Sequence, residues 1–314
     1  MVSVILTSVQ SSLHCRSVSS NLSKQPRALY LNRLSPPRRL NPSPKRAFRQ
    51  VCSFKAGEDS NGNKGTGSEW PVLKRWDVPW QWQTVSLTSL ACGLSFVLTG
   101  LVESAAIPYL GLRIEELSLD EKAEILLVDQ SITTAAVLGV IFDWREPFNL
   151  QKGWLLWAGI GLVAALLAIG ATGAAMSFFG GENPQRETDA LVKLLPLIGS
   201  STISTACLVG ITGVLAPVLE ETLFRGFFMS SLTKWVPTPV SVLISAAVFA
   251  LAHLTPGEFP QLFVLGTMLG FSYAQTRNLL TPIVIHAFWN SGVILLLTFL
   301  QIQGYDIKEI LQVT

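Results

Sequence analysis

Charge is what this 314-residue chain has least of. Asp, Glu, Lys and Arg make up 14% of it, against roughly a quarter in a soluble domain, while 49% is hydrophobic and the mean hydropathy is +0.43. That shortage excludes a soluble globular fold and leaves a polytopic membrane protein. Cysteine is scarce too. Of the four, Cys15 and Cys52 lie in a basic N-terminal stretch and Cys92 and Cys207 in apolar runs, so no disulfide framework or cysteine zinc cluster is spaced out here. Acids are missing from residues 1–57, which hold ten Lys/Arg, whereas the remainder carries 13 basic against 21 acidic residues. The small positive net charge belongs to that leader and gives no support to nucleic-acid binding. Absent motifs exclude further classes. No His-Glu-x-x-His of a zincin occurs. The nearest approach to a Gly-x-Ser-Gly nucleophile, Gly270-Phe271-Ser272-Tyr273, lacks its last glycine, and Asp129 has no partner aspartate for an aspartyl protease.

What is present falls into an ordered series. Residues 1–52 are rich in Ser and Arg, free of acids and interrupted by Pro36-Pro37-Arg38-Arg39, the composition of an organellar transit peptide. The uncharged first thirteen residues and Val51-Cys52-Ser53 point to a plastid address, and thus to a multi-pass protein of a chloroplast membrane, inner envelope or thylakoid. Residues 53–83 read as a flexible linker followed by a cluster of Trp70, Trp76, Trp80 and Trp82, expected at a membrane interface.

Apolar runs of spanning length then follow one another, at about 84–108, 124–142 and 153–179, within an N-terminal membrane region of 84–190. Glu103 and Asp129 are its well-placed acids, each expected near a span end or paired with a neighbouring helix. A second region, 191–303, begins with an apolar stretch too long for one crossing. Pro217 is expected to divide it into helices at about 195–215 and 217–233. Further helices are expected at about 239–254, 259–276 and 279–300, before a polar tail at 304–314. The fold class predicted is all-α, with about eight transmembrane helices and no internal repeat.

Within that second region sits Glu220-Glu221-Thr222-Leu223-Phe224-Arg225, two acids and an arginine at membrane depth. A single charge near a bilayer centre costs about 2.5–3.5 kcal/mol on insertion scales, so such residues are expected to be functional. Residues four apart stack on one helix face, which pairs Arg225 with Glu221 and turns Glu220 about 100° away without a local counter-ion, the character of a general base. Phe249 and His253 repeat the spacing, as do His286 and Asn290. These are the two histidines outside the leader; the third, His14, lies within it. An imidazole and a carboxamide on one face can donate into a common space, as a developing oxyanion requires. A carboxylate and a second imidazole can hold and deprotonate a water. Together the four groups suit hydrolysis of an acyl bond.

The strings Glu-Glu-Thr-Leu-Phe-Arg (220–225), Phe-Ala-Leu-Ala-His (249–253) and His-Ala-Phe-Trp-Asn (286–290) resemble the three motifs of the CPBP (Abi) family of intramembrane proteases, which includes the CAAX prenyl endopeptidases and bacteriocin-processing and immunity proteins. The resemblance covers about 195–300, with the motifs in order and correctly spaced. It implies that Glu220 and His253 activate the water, that His286 with Asn290 stabilises the oxyanion, and that Glu221, Arg225 and Phe249 shape the site. Family members are usually described as metalloendopeptidases, although a metal-free glutamate mechanism has also been proposed. Glu220, His253 and His286 form a set that can bind zinc or work without it, so the cofactor stays open. The expected partners are the lipid bilayer and a membrane protein or peptide substrate, with no nucleic acid. The resemblance also admits a non-proteolytic scaffold that binds and stabilises other membrane proteins.

Overall fold

A computed structural model describes residues 70–109, 116–141, 153–179, 196–305 and 307. The transit peptide, the linker before Trp70, the loop at 182–193 and most of the polar tail lie outside the described residues. Those that are described are helical, with no strand among them. We label the long helices α1 (Trp82–Tyr109), α2 (Leu119–Ile141), α3 (Trp154–Phe179), α4 (Thr202–Leu232), α5 (Thr238–Ala252), α6 (Phe259–Thr276) and α7 (Leu280–Ile302). Three of them, Trp154–Phe178, Thr202–Leu232 and Leu280–Ile302, are long and apolar enough to cross a membrane.

Local chemistry accounts for several of the boundaries. Ser118 and Glu121 form a reciprocal capping box at the start of α2, the Ser118 N–H donating to the Glu121 carboxylate at 2.8 Å while the Glu121 N–H donates to the Ser118 hydroxyl at 3.3 Å. Ser201 caps α4 by accepting the Ser204 N–H at 3.0 Å, and its own hydroxyl donates to Asp120, joining the starts of α2 and α4. From there α2 and α4 run side by side in the same direction, with Ala123 packed among Cys207 and Leu208, and Val137 in the cluster of Leu219 and Leu223. On the other side α3 packs against α6 and α7 through Ala158, Ala165 and Ile169, with Leu265, Leu269 and Ile285 opposite. Its outer face leaves Leu155, Leu156, Val163 and Leu167 exposed, an apolar surface that suits lipid.

Three sequence expectations are corrected here. Pro217 does not divide the apolar stretch after Leu194, for α4 runs unbroken over 31 residues and the expected fourth and fifth helices are one. The proline is accommodated because the helix widens to π geometry over Val209–Leu215, returns to α over Ala216–Glu221, and widens again over Thr222–Met229. Pro217 therefore sits where the register changes, in the first turn of a new α segment. The tryptophans also differ from an interfacial girdle. Trp70 and Trp82 are exposed, but Trp76 and Trp80 are buried at 9% and 7% exposure. Trp76 stacks on Tyr273 (centroids 5.2 Å apart) beneath the Arg277 guanidinium, and the Trp80 indole N–H donates to the Ser231 hydroxyl at 2.8 Å. Protein groups supply the N–H partner that the membrane interface was expected to supply. Finally, Asp129 is not at a span end, and no partner for it is found among the described residues. It is buried in mid-α2 beside Gln130, Thr133 and Thr134, and its Oδ2 has no hydrogen-bond partner among the described residues. The Glu103 side chain lies outside the description.

Candidate active site

Glu220 and Glu221 lie on the α segment between the two widened stretches of α4, and both are buried. Arg225, four residues on, is fully buried and donates from Nη1 to Glu221 Oε1 at 2.8 Å. A buried guanidinium needs more than one acceptor. The second is the Gly266 carbonyl on α6, which Nη2 reaches at 3.0 Å. That carbonyl is within range because α6 approaches α5 through glycine. A Cβ on Gly266 would lie 3.1 Å from Ala246 Cα and 3.2 Å from Phe249 Cδ1, and one on Gly270 would meet Val242 Cγ1 at 2.7 Å. The Gly266-x-x-x-Gly270 stripe is the small-residue packing by which membrane helices close on each other. Sequence reading passed over it.

Phe249 stands at the centre. Its ring carries the Arg225 guanidinium 4.5 Å from its centroid and contacts the rings of His253 (4.6 Å), His286 (5.7 Å) and Phe224 (5.4 Å). Its carbonyl lies 2.7 Å from His253 Nδ1. A carbonyl only accepts, so Nδ1 carries the hydrogen and Nε2 of the neutral ring presents a lone pair. That Nε2 faces Glu220 Oε2 at 3.8 Å, beyond direct hydrogen-bond range, and Oε2 has no other partner among the described residues. His253 itself caps the end of α5, ahead of Leu254 in the left-handed region (φ 54°), and its side chain keeps 16% exposure. The site therefore opens at its His253 end.

On α7, His286 is buried with Nδ1 2.8 Å from Glu221 Oε1, the same oxygen that receives Arg225. Glu221 is thus shared between a cation and an imidazole, whereas spacing alone paired it only with Arg225. Asn290 donates from Nδ2 to the Thr212 carbonyl of α4 at 2.8 Å. The structure accordingly brings Arg225, His253 and His286 to the Phe249 ring, with Glu220 facing His253, Glu221 bonded to Arg225 and His286, and Asn290 one helical turn further along α7. Thr212 and Ser245, whose hydroxyl donates to the Phe224 carbonyl at 3.0 Å, were not anticipated; both involve carbonyls in the widened stretches of α4, which no residue pattern announces.

As a zinc site the arrangement is incomplete. Glu220 Oε2 and His253 Nε2 supply two donors, and no group of three His, Cys, Asp or Glu side chains is arranged to hold a metal among the described residues. No step below is routed through one.

Residues 202–292, which contain every one of these groups, match the model of a family described as type II CAAX prenyl endopeptidase Rce1-like. Over these residues the chain is similar to the CPBP family. Curated relatives agree. This chain is 24% identical to the putative membrane peptidase YdiL of Bacillus subtilis over 143 residues, 45% of this chain and 56% of that one. It is 23% identical to the membrane-embedded CAAX protease MroQ of Staphylococcus aureus over 178 residues, 54% of this chain and 67% of the other. Over 101 residues it is 31% identical to the UPF0177 protein YxdF of Lactococcus lactis, covering 30% and 55%. The alignments thus span between about half and two-thirds of the relatives' lengths. No solved structure matches. The matched segment corresponds to α4 to α7 up to Gly292.

Proposed function

We propose that this protein is an intramembrane endopeptidase that hydrolyses a membrane-proximal peptide bond with a water activated by Glu220 and His253. The observation that carries the reading is the pairing of two hydrogen-bond acceptors, Glu220 Oε2 and His253 Nε2, 3.8 Å apart at the open end of a buried site. Two acceptors held so close call for a shared donor, and a water bridging them gives a hydrogen to each. Glu220 takes the water proton as its oxygen bonds to the scissile carbonyl carbon, and returns it to the amide nitrogen as the C–N bond breaks. Asn290 retains one Nδ2 hydrogen beyond that given to Thr212. His286, when doubly protonated, donates from Nε2 while Glu221 holds Nδ1. These two are the donors for the tetrahedral oxyanion. Glu221, Arg225 and Phe249 keep both imidazoles in place.

The substrate class is a membrane protein or peptide whose cleavable bond reaches the space beside His253. The acid-free, Ser/Arg-rich leader supports placement in a chloroplast membrane, with residues 191–303 as the catalytic region. The test is complementation of a deletion line with Glu220→Gln, an isostere without the base. At wild-type protein level the variant should fail to rescue, its processing rate lowered at least about 100-fold. Full rescue would assign the protein a non-catalytic, holding role instead.

A further inference from the structure

Proline lacks an N–H, so wherever it sits in a helix one carbonyl upstream loses its donor. Which carbonyl that is depends on the register. In α4 the register before Pro217 is π: the Ala216 N–H bonds to the Ile211 carbonyl, five residues back. The next bond in that series would run from residue 217 to the Thr212 carbonyl, and proline cannot make it. The Thr212 oxygen is therefore left without a helical donor in a buried helix, a position that costs free energy unless another group fills it. The Asn290 side chain fills it, donating from Nδ2 at 2.8 Å.

Two further features fit this contact. Residue 213 is glycine, and a Cβ there would lie 3.4 Å from Ser291 Cβ, so α7 passes within van der Waals range of α4 beside this contact. Nine positions along α4, Glu221 grips His286, so His286 and Asn290 of α7 are both tethered to the same helix, on either side of the proline.

We propose that Pro217 is a positioning residue for Asn290: by withholding its N–H it frees the Thr212 carbonyl, which fixes the Asn290 carboxamide in one orientation. The amide oxygen and the remaining N–H are then aimed by the backbone of α4. The catalytic consequence rests on the peptidase reading above; the hydrogen-bond exchange itself does not.

Pro217→Ala tests it by restoring the missing N–H, which recaptures the Thr212 oxygen. The full chain in detergent micelles is followed by thermal unfolding in a cycle with Asn290→Ala. Loss of the Asn290 bond should lower the midpoint by about 3–6 °C in the wild-type background. In the Pro217→Ala background the same substitution should cost about one degree or less, because the bond is already gone. Equal costs in both backgrounds would overturn the proposal. A second measurement reads the bond directly and does not need the variant to fold. With 15N-asparagine labelling, the Asn290 side-chain amide, assigned by its absence in Asn290→Ala, should exchange its hydrogens slowly in the wild-type protein. In Pro217→Ala, where it folds, that protection should be lost. Rapid exchange in the wild type would refute the tether. None of these readouts involves hydrolysis, so their failure would leave the Glu220–His253 assignment standing, and an inactive protein could still show the coupling.

Discussion

The two adjacent glutamates have different duties, and the difference can be measured. Glu221 Oε1 receives both Arg225 and His286, and Arg225 is wholly buried, so Glu221→Ala strands a cation in the interior. Removing one partner of a buried pair costs about 3–5 kcal/mol, and unfolding in detergent should show a loss of that size or failure to accumulate. Glu220→Ala removes a group whose nearest basic neighbour is the neutral His253 imidazole at 3.8 Å, and should cost far less stability while abolishing processing. Comparable midpoints for the two variants would contradict this division of labour. The sequence already separated them, because i,i+4 spacing puts Glu221 and not Glu220 beside Arg225. The sharing of Glu221 with His286 was not legible, since it depends on how α4 and α7 pack across 65 residues of chain. The tautomer of His253 was hidden for a similar reason: a backbone carbonyl, Phe249 O, sets it.

At the scale of elements, helix existence and spacing were readable from apolar runs, and α3, α6 and α7 lie within two residues of where those runs placed them. Pro217 misled because the rule that proline ends a helix assumes α geometry on both sides. Here π stretches flank the residue, and carbonyls within them take side-chain donors, Asn290 on Thr212 and Ser245 on Phe224. Helix approach was equally illegible, although the glycines that allow it were in plain view. Gly266 brings α6 against Ala246 and Phe249 while presenting its carbonyl to Arg225. Gly266→Val should splay α5 from α6, lower the unfolding midpoint by several degrees and displace Phe249, with both histidines losing their shared ring contact. Unchanged stability and processing in that variant would mean that the close approach is dispensable.

For the molecule as a whole, the segment before α1 is part of the folded body. Trp76 and Trp80 reach Tyr273, Ser231 and Phe227, the Trp76 N–H donates to the Thr233 hydroxyl at 3.0 Å, and Lys234 donates to the Trp80 carbonyl at 2.7 Å. These contacts bind the end of α4 to the connection between α6 and α7, the helices that carry the site. Trp76→Ala should destabilise the protein by about 3–5 kcal/mol and expose residues 70–82 to added protease, whereas Trp82→Ala, at an exposed position, should do neither. Clustering of the tryptophans could not separate the exposed rings, Trp70 and Trp82, from the buried ones, Trp76 and Trp80.

The account stands or falls on whether a water held by Glu220 and His253 cuts peptide bonds. N-terminal peptides from isolated membranes, compared between wild type, a deletion line and a line carrying His253→Ala at normal protein level, decide it. The prediction is a small set of unprocessed termini shared by the deletion and His253→Ala lines and absent from wild type. If the His253→Ala termini match wild type while the deletion differs, the protein acts without hydrolysis.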